Sequence, residues 1–148
     1  MNYLSNPSQA LRRPFPGALY ALVPRLQLEG REELAMTTVG LAVIDYHRWL
    51  EVHVLTDLTI RNATAIRNGI MSAWEACGRP ARLILDLAGA RRIDSSGVGA
   101  LLEVSHRTED AGIALVIQGL RKSPRRMLER TGLGMLFQIV GEGAVRPA

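Results

Sequence analysis

The sequence predicts an α/β fold, a mixed β-sheet covered mainly by helices, with a Pro-rich N-terminal extension. Three patterns predict it. Val52 and Val54 alternate with Glu51 and His53, the period-two signature of a strand with one wetter face. Ile60, Ala63, Ile66, Ile70, Ala73, Trp74 and Cys77 recur every three or four residues and gather on one helical face. The short apolar run Leu83 to Leu87 reads as an interior strand, and Ile113 to Ile117 as a strand covered on both faces. Strands alternating with helices make a layered sheet-and-helix domain.

Residues 1–36 form the extension. Pro7, Pro14, Pro16 and Pro24 exclude a long regular helix there. Leu11, Phe15, Leu19, Tyr20, Leu22, Val23, Leu26 and Leu28 are nevertheless apolar enough to pack over the domain, onto a partner, or onto a second copy in a homodimer. The domain itself is expected over 37–148. Val39 to Ile44 is the first strand, and Asp45 to Arg48 a hairpin loop. Leu50 to Leu55 is the second strand, with Trp49 placed to cover an exposed edge. Thr59 is positioned to cap the first helix, which Gly78 and Pro80 end. After the strand Leu83 to Leu87, Asp94 or Ser95 caps a second helix that turns Val98, Leu101 and Leu102 toward the sheet. Gly112 restarts the chain into the strand Ile113 to Ile117. Ser123 and Pro124 read as a hydroxyl cap followed by proline in the first turn, and Met127 and Leu128 as the packing face. Gly132 stops that helix, and Met135 to Val140 supplies the last strand. The segment from Gly141 to Ala148 is expected to fray.

Composition narrows the function. The chain has 148 residues, 47% hydrophobic, enough for one core plus an extension. Net charge is +4, and Arg supplies all the basic residues except Lys122. A basic chain accepts acidic partners, but charge alone selects none. Arg121, Lys122, Arg125, Arg126 and Arg130 form a basic helical region, read as a solvated face or a dock for an acidic partner. Without interleaved aromatics or a second helix-turn-helix signal, direct nucleic-acid binding is not expected. A lone Cys77 rules out an intrachain disulfide and reads as a small buried hydrophobe. No apolar run reaches membrane-spanning length, so membrane insertion is not expected. The prolines make the N-terminus a poor secretion signal, and the cytoplasm is the expected location.

The informative stretch is Ile93-Asp94-Ser95-Ser96-Gly97-Val98-Gly99, directly after the strand Leu83 to Leu87. It places two hydroxyls where a strand ends and a helix begins. A helix start presents free amides and a partial positive charge, so it tolerates a phosphoryl group. Hydrolysis would need a base and oxyanion donors beside the serine. Ser96 lacks the Gly-x-Ser-x-Gly elbow, and His47, His53 and His106 show no evident pairing with it. Three isolated histidines make no recognisable zinc site. Gly97 and Gly99 do not form a dinucleotide fingerprint. No enzyme activity, metal or cofactor is expected, and a serine hydrolase is the remote alternative.

From Val39 to about Val140 the chain resembles a STAS domain, especially the bacterial anti-anti-sigma-factor branch. The resemblance rests on Leu83-Ile84-Leu85-Asp86-Leu87, on the Asp94-Ser95-Ser96-Gly97 motif after it, and on Thr131-Gly132-Leu133 before the last strand. It implies a small protein that sequesters an anti-sigma serine kinase while unmodified and releases it when phosphorylated, with a phosphatase able to restore binding. The phosphorylated serine falls on Ser96. The resemblance implies partner contact from Asp57, Thr59, Asp94, Ser95, Ser96, Gly97, Val98 and Gly99. Thr56-Asp57-Leu58-Thr59 departs from the family's Gly-Glu-Leu-Asp-like turn by replacing its glycine and its final aspartate. With this departure and the foreign extension, another STAS role stays open: a non-switching scaffold, or a regulatory subunit of a membrane lipid-transport ABC complex.

Overall fold

In a computed structural model, residues 33–36, 40–46 and 48–141 are described. The strands are β1 (Glu33–Met36), β2 (Leu41–Asp45), β3 (Leu50–Val54), β4 (Arg82–Asp86), β5 (Ala114–Gln118) and β6 (Gln138–Ile139). The helices are α1 (Ala63–Ala76), α2 (Ser95–Asp110) and α3 (Lys122–Thr131), followed by a 3-10 turn at Leu133–Leu136. One six-stranded sheet takes the strands in chain order. The first three pair antiparallel, and β3, β4, β5 and β6 pair parallel. Each parallel step needs a crossover, and α1, α2 and α3 supply them in turn. The mixed sheet covered by helices agrees with the sequence pattern.

Alternation along the strands divides the sheet. Leu50, Val52 and Val54 of β3 and Leu83 and Leu85 of β4 face one side, each fully buried. Ile66, Ile70 and Trp74 of α1, Val98, Leu101 and Val104 of α2, and Leu128 of α3 complete this core. Glu51, His53 and Asp86 point to the other side. That side is polar at these positions but not wet throughout, because Glu51 is only 1% exposed.

Several boundaries differ from the sequence expectation. β1 lies within the residues assigned to the extension and pairs with β2 from Glu33↔Asp45 to Met36↔Ala42. A four-residue strand carries too little periodicity to show without its pairing partner. Residues 1–32, including the apolar positions between Leu11 and Leu28, lie outside the described residues, as do His47 and 142–148. Trp49 stacks on Tyr46 across the hairpin, with ring centroids 4.4 Å apart.

α1 begins four residues after Thr59, with Asn62 as its cap residue. The Thr59 carbonyl accepts from the amides of Asn62 (3.0 Å) and Ala63 (2.8 Å), and Asn62 Oδ1 accepts from Thr59 N (2.9 Å). This closed turn takes Ile60 off the helical stripe, leaving it 77% exposed. Cys77 is half-buried against the core. α3 starts at Lys122, so Ser123 sits inside its first turn and gives no side-chain cap. Pro124 still fits, because first-turn amides have no intrahelical acceptor. Gly132 ends α3 in the left-handed region at φ 73°. The expected strand from Met135 shrinks to Gln138–Ile139, and Met135 on the 3-10 turn is 92% exposed.

Candidate functional site

The site forms at the carboxyl ends of β3 and β4, where two loops are laced together before α2 begins. Leu58 bridges Ile93 in parallel. Leu58 N donates to Arg92 O (3.0 Å), and Asp94 N donates to Leu58 O (3.2 Å). Two aspartates brace the junction from opposite sides. Asp57 Oδ1 accepts from the amides of Arg91 (2.9 Å) and Arg92 (3.0 Å). Asp94 Oδ1 caps α2 by accepting from Gly97 N (2.9 Å), while Asp94 Oδ2 accepts from Ile60 N (2.9 Å), 34 residues away in the chain. The Gly97 amide, then those of Ile60 and Ser96, hold the Asp94 carboxyl below its ordinary range, outweighing the opposing desolvation.

Asp94 therefore does the capping that the sequence divided between Asp94 and Ser95. The Ser95 and Ser96 hydroxyls make no hydrogen bond among the described residues. Ser95 is exposed and Ser96 half-buried, in the first turn of α2. Gly97 abuts the Leu58 carbonyl: a Cβ there would lie 2.3 Å from Leu58 O. Val98 is 4% exposed and belongs to the core. Gly99 is half-exposed, and a Cβ on it would meet nothing within 4 Å. The motif's outward surface thus comes from Ser95, Ser96 and Gly99, while Gly97 and Val98 hold the helix in place.

Beside the motif lies an open groove of ≈ 830 Å³. Thr56, Asp57, Thr59, Arg61, Asn62, Arg92, Ile93 and Asp94 line it from the two loops, and Ser123, Met127 and Arg130 from α3. The expected partner-contact residues Asp57, Thr59 and Asp94 meet here, together with three arginines from separate elements. Arg92 makes a long contact to Asp57 (3.9 Å) with its side chain 84% exposed. Sequence reading missed the grouping of Arg61, Arg92 and Arg130, which has no local signal, and it assigned Ile60 to the core.

A second polar cluster sits on the other side of the sheet. His53 Nε2 is 2.8 Å from Glu51 Oε1, and His53 Nδ1 is 3.8 Å from Asp86 Oδ2. Gln118 Nε2 donates to Asp86 Oδ2 (3.0 Å), and Ala88 N donates to Asp86 Oδ1 (2.9 Å). Glu51, His53 and Asp86 are the one group of metal-ligating type found among the described residues. Glu51 Oε1, both His53 nitrogens and both Asp86 oxygens contact one another or their neighbours. Both His53 nitrogens face carboxylates, not Ser96. His106 lies ten residues along α2 from Ser96, roughly 15 Å at the helical rise. Neither is placed as a base for that hydroxyl.

A helix start braced by Asp57 and Asp94 thus stands beside a polar groove on a mixed sheet backed by helices. The STAS domain model matches residues 41–142, and the chain belongs to the STAS family. STAS domains are typically non-enzymatic regulatory or scaffold modules. The fold is similar to that of a candidate anti-sigma factor antagonist from Thermotoga maritima (TM-score 0.57, 15% identity, covering 79% of this chain and 84% of that one). It is also similar to the phosphorylated form of the Bacillus cell fate determinant SpoIIAA (TM-score 0.50, 21% identity, 74% and 91% covered). Part of the murine anion transporter Slc26a9 shares the fold too (TM-score 0.54, 18% identity), with 62% of this chain matching 16% of the transporter. At these identities the likeness is one of fold. A search of curated protein sequences finds no match. Among the described residues no helix is long and apolar enough to cross a membrane.

Proposed function

We propose that this protein is a phosphorylation-controlled binding module, an anti-sigma factor antagonist that holds an anti-sigma serine kinase while Ser96 is unmodified and releases it once Ser96 is phosphorylated. One observation carries the reading: in the first turn of the helix that Asp94 caps, the half-buried Ser96 makes no side-chain hydrogen bond among the described residues. Exposed Ile60, tied by its amide to Asp94, offers an apolar contact beside it.

Phosphorylation adds roughly −1.5 to −2 charges and three acceptor oxygens. The amides and dipole of the α2 start tolerate that charge, so the domain stays folded. A partner surface fitted to a neutral hydroxyl must instead desolvate a dianion, and the dissociation constant is expected to rise by about 100-fold or more. A phosphatase would reverse the change. This reading implies a cytoplasmic protein.

The test is to isolate the native partner and compare the parent with Ser96→Ala and Ser96→Glu. Ser96→Ala should bind the partner and resist phosphorylation. Ser96→Glu should bind far more weakly, and the parent should yield a Ser96 phosphopeptide. If both variants bind like the parent, the switch is wrong and a constitutive scaffold role replaces it.

A further inference from the structure

We infer that the groove beside Ser96 receives a carboxylate-rich segment of the partner, held by Arg61, Arg92 and Arg130. The inference rests on the proposed binding function and names the chemistry of the surface bound. Arg61 follows the β3 loop, Arg92 precedes the serine motif, and Arg130 lies in the last turn of α3, yet all three line one groove. Arg61 and Arg130 are exposed and make no ion pair among the described residues. Among the described residues, the Arg92 side chain has one ion pair, the 3.9 Å contact with Asp57. The fork of a guanidinium matches a carboxylate in two parallel hydrogen bonds.

Among the described residues, one of the groove's own carboxylates meets one of these arginines, Asp57 at 3.9 Å from Arg92. Asp57 Oδ1 accepts two backbone amides, and each oxygen of Asp94 accepts one. These contacts fix both side chains toward the backbone and partly meet their charge. Three cationic side chains thus face two carboxylates that backbone amides largely hold, and the surplus is positive. At ≈ 830 Å³ and open to solvent, the groove is far larger than a single ion needs. Among the described residues its lining includes no aromatic, so they offer no stacking platform of the kind single-stranded nucleic acid uses.

This arrangement couples to the proposed switch. Ser96 lies two residues beyond Asp94, which lines the groove. A phosphoryl group on Ser96 would add its negative charge next to the groove's edge and so repel the partner's carboxylates.

A fluorescein-labelled hexaglutamate peptide tests the groove with the full unmodified chain, by fluorescence anisotropy across a salt series. Saturable, salt-sensitive binding is expected. The triple variant Arg61→Gln, Arg92→Gln, Arg130→Gln should weaken it by about 10-fold or more, the combined effect of three modest charge contacts. The control Arg48→Gln, Arg107→Gln, Arg126→Gln removes the same charge from exposed positions outside the groove and should change affinity by less than about two-fold. Circular dichroism must show both variants folded. If only the groove variant unfolds, Arg92→Gln alone replaces it and should weaken binding by about two-fold or more.

Absence of saturable binding, or equal losses in groove and control variants, would overturn the inference. Inorganic pyrophosphate binding where the peptide does not would make the groove a small-anion site, and tighter binding of an oligothymidylate would make it a nucleic-acid site; either result defeats the acidic-partner assignment. No kinase or phosphorylation enters this assay, so its failure is distinguishable from failure of the Ser96 switch.

Discussion

Replacing Gly97 and Gly99 by alanine, one at a time, should shift stability in opposite directions, although the two residues are neighbours in the same helical turn. In Gly97→Ala the new Cβ would lie 2.3 Å from Leu58 O, 3.0 Å from Leu58 C and 2.9 Å from Ile93 Cγ2. Two of these atoms are backbone, in the loop whose carbonyl accepts from Asp94 N. The loop must move by about 1 Å to restore ordinary contact, at an overpacking cost of about 1–3 kcal/mol. Weakening the hydrogen bond between Asp94 N and Leu58 O adds about 1 kcal/mol. Alanine's better helix propensity returns up to about 1 kcal/mol, leaving a net destabilisation of roughly 1–3 kcal/mol. Gly99→Ala meets nothing within 4 Å, so only the propensity gain remains, about 0.5–1 kcal/mol in favour of the fold. Urea titration measures both, with the slope unchanged if only stability moves. Melting temperatures should shift by roughly 3–5 °C per kcal/mol. A Gly97→Ala variant as stable as the parent, or the same sign in both, would refute the argument from close approach. A more stable Gly99→Ala that loses partner affinity would locate the partner's backbone against that position.

Three further outcomes follow from the same geometry. Asp94 has a folded-state acidity strengthened by amide donors, so its contribution is present at neutral pH and is lost as pH falls through and below the usual carboxylate range; urea unfolding of the parent and Asp94→Asn from pH 7 to pH 3 should show a gap that closes on acidification, and a constant gap would contradict this sign. Ile60→Asp should leave stability within about 0.5 kcal/mol, because the side chain is 77% exposed, yet weaken partner binding by about 10-fold; a large drop in melting temperature instead would return Ile60 to a structural role. Leu85→Ala, at a fully buried position on β4, should cost about 2–5 kcal/mol in chemical denaturation.

Those predictions depend on features of unequal visibility in the sequence. β4 and the opening of α2 are legible because each rests on local chemistry: the short apolar run Leu83 to Leu85, then capping-type side chains at Asp94 and Ser95. The core stripe from Ala63 to Trp74 was legible by its period. Ile60 was misread because the period cannot register a tertiary acceptor; its amide turns to Asp94, and the Thr59–Asn62 turn delays the helix. Alternation alone puts Glu51 on the wetter face, because it separates faces by polarity and not by what covers them. Asp57, Thr59 and Asp94, which the family resemblance singles out, line one groove, but the division of labour within the motif has no local signal. Which glycine is pressed against a carbonyl, and which residue caps, are facts of packing. The convergence of Arg61, Arg92 and Arg130 needs the two loops and α3 brought together, and no window of sequence contains it.

The six strands stand side by side in the order in which translation delivers them. A chain emerging from the ribosome can dock each new strand on the one just made, without waiting for distant material, and the loop-closure penalty stays small at every step. The sheet grows toward an edge of only two residues, Gln138 and Ile139. So short a border presents few unpaired amides and carbonyls to another molecule, which limits strand-to-strand polymerisation from that end.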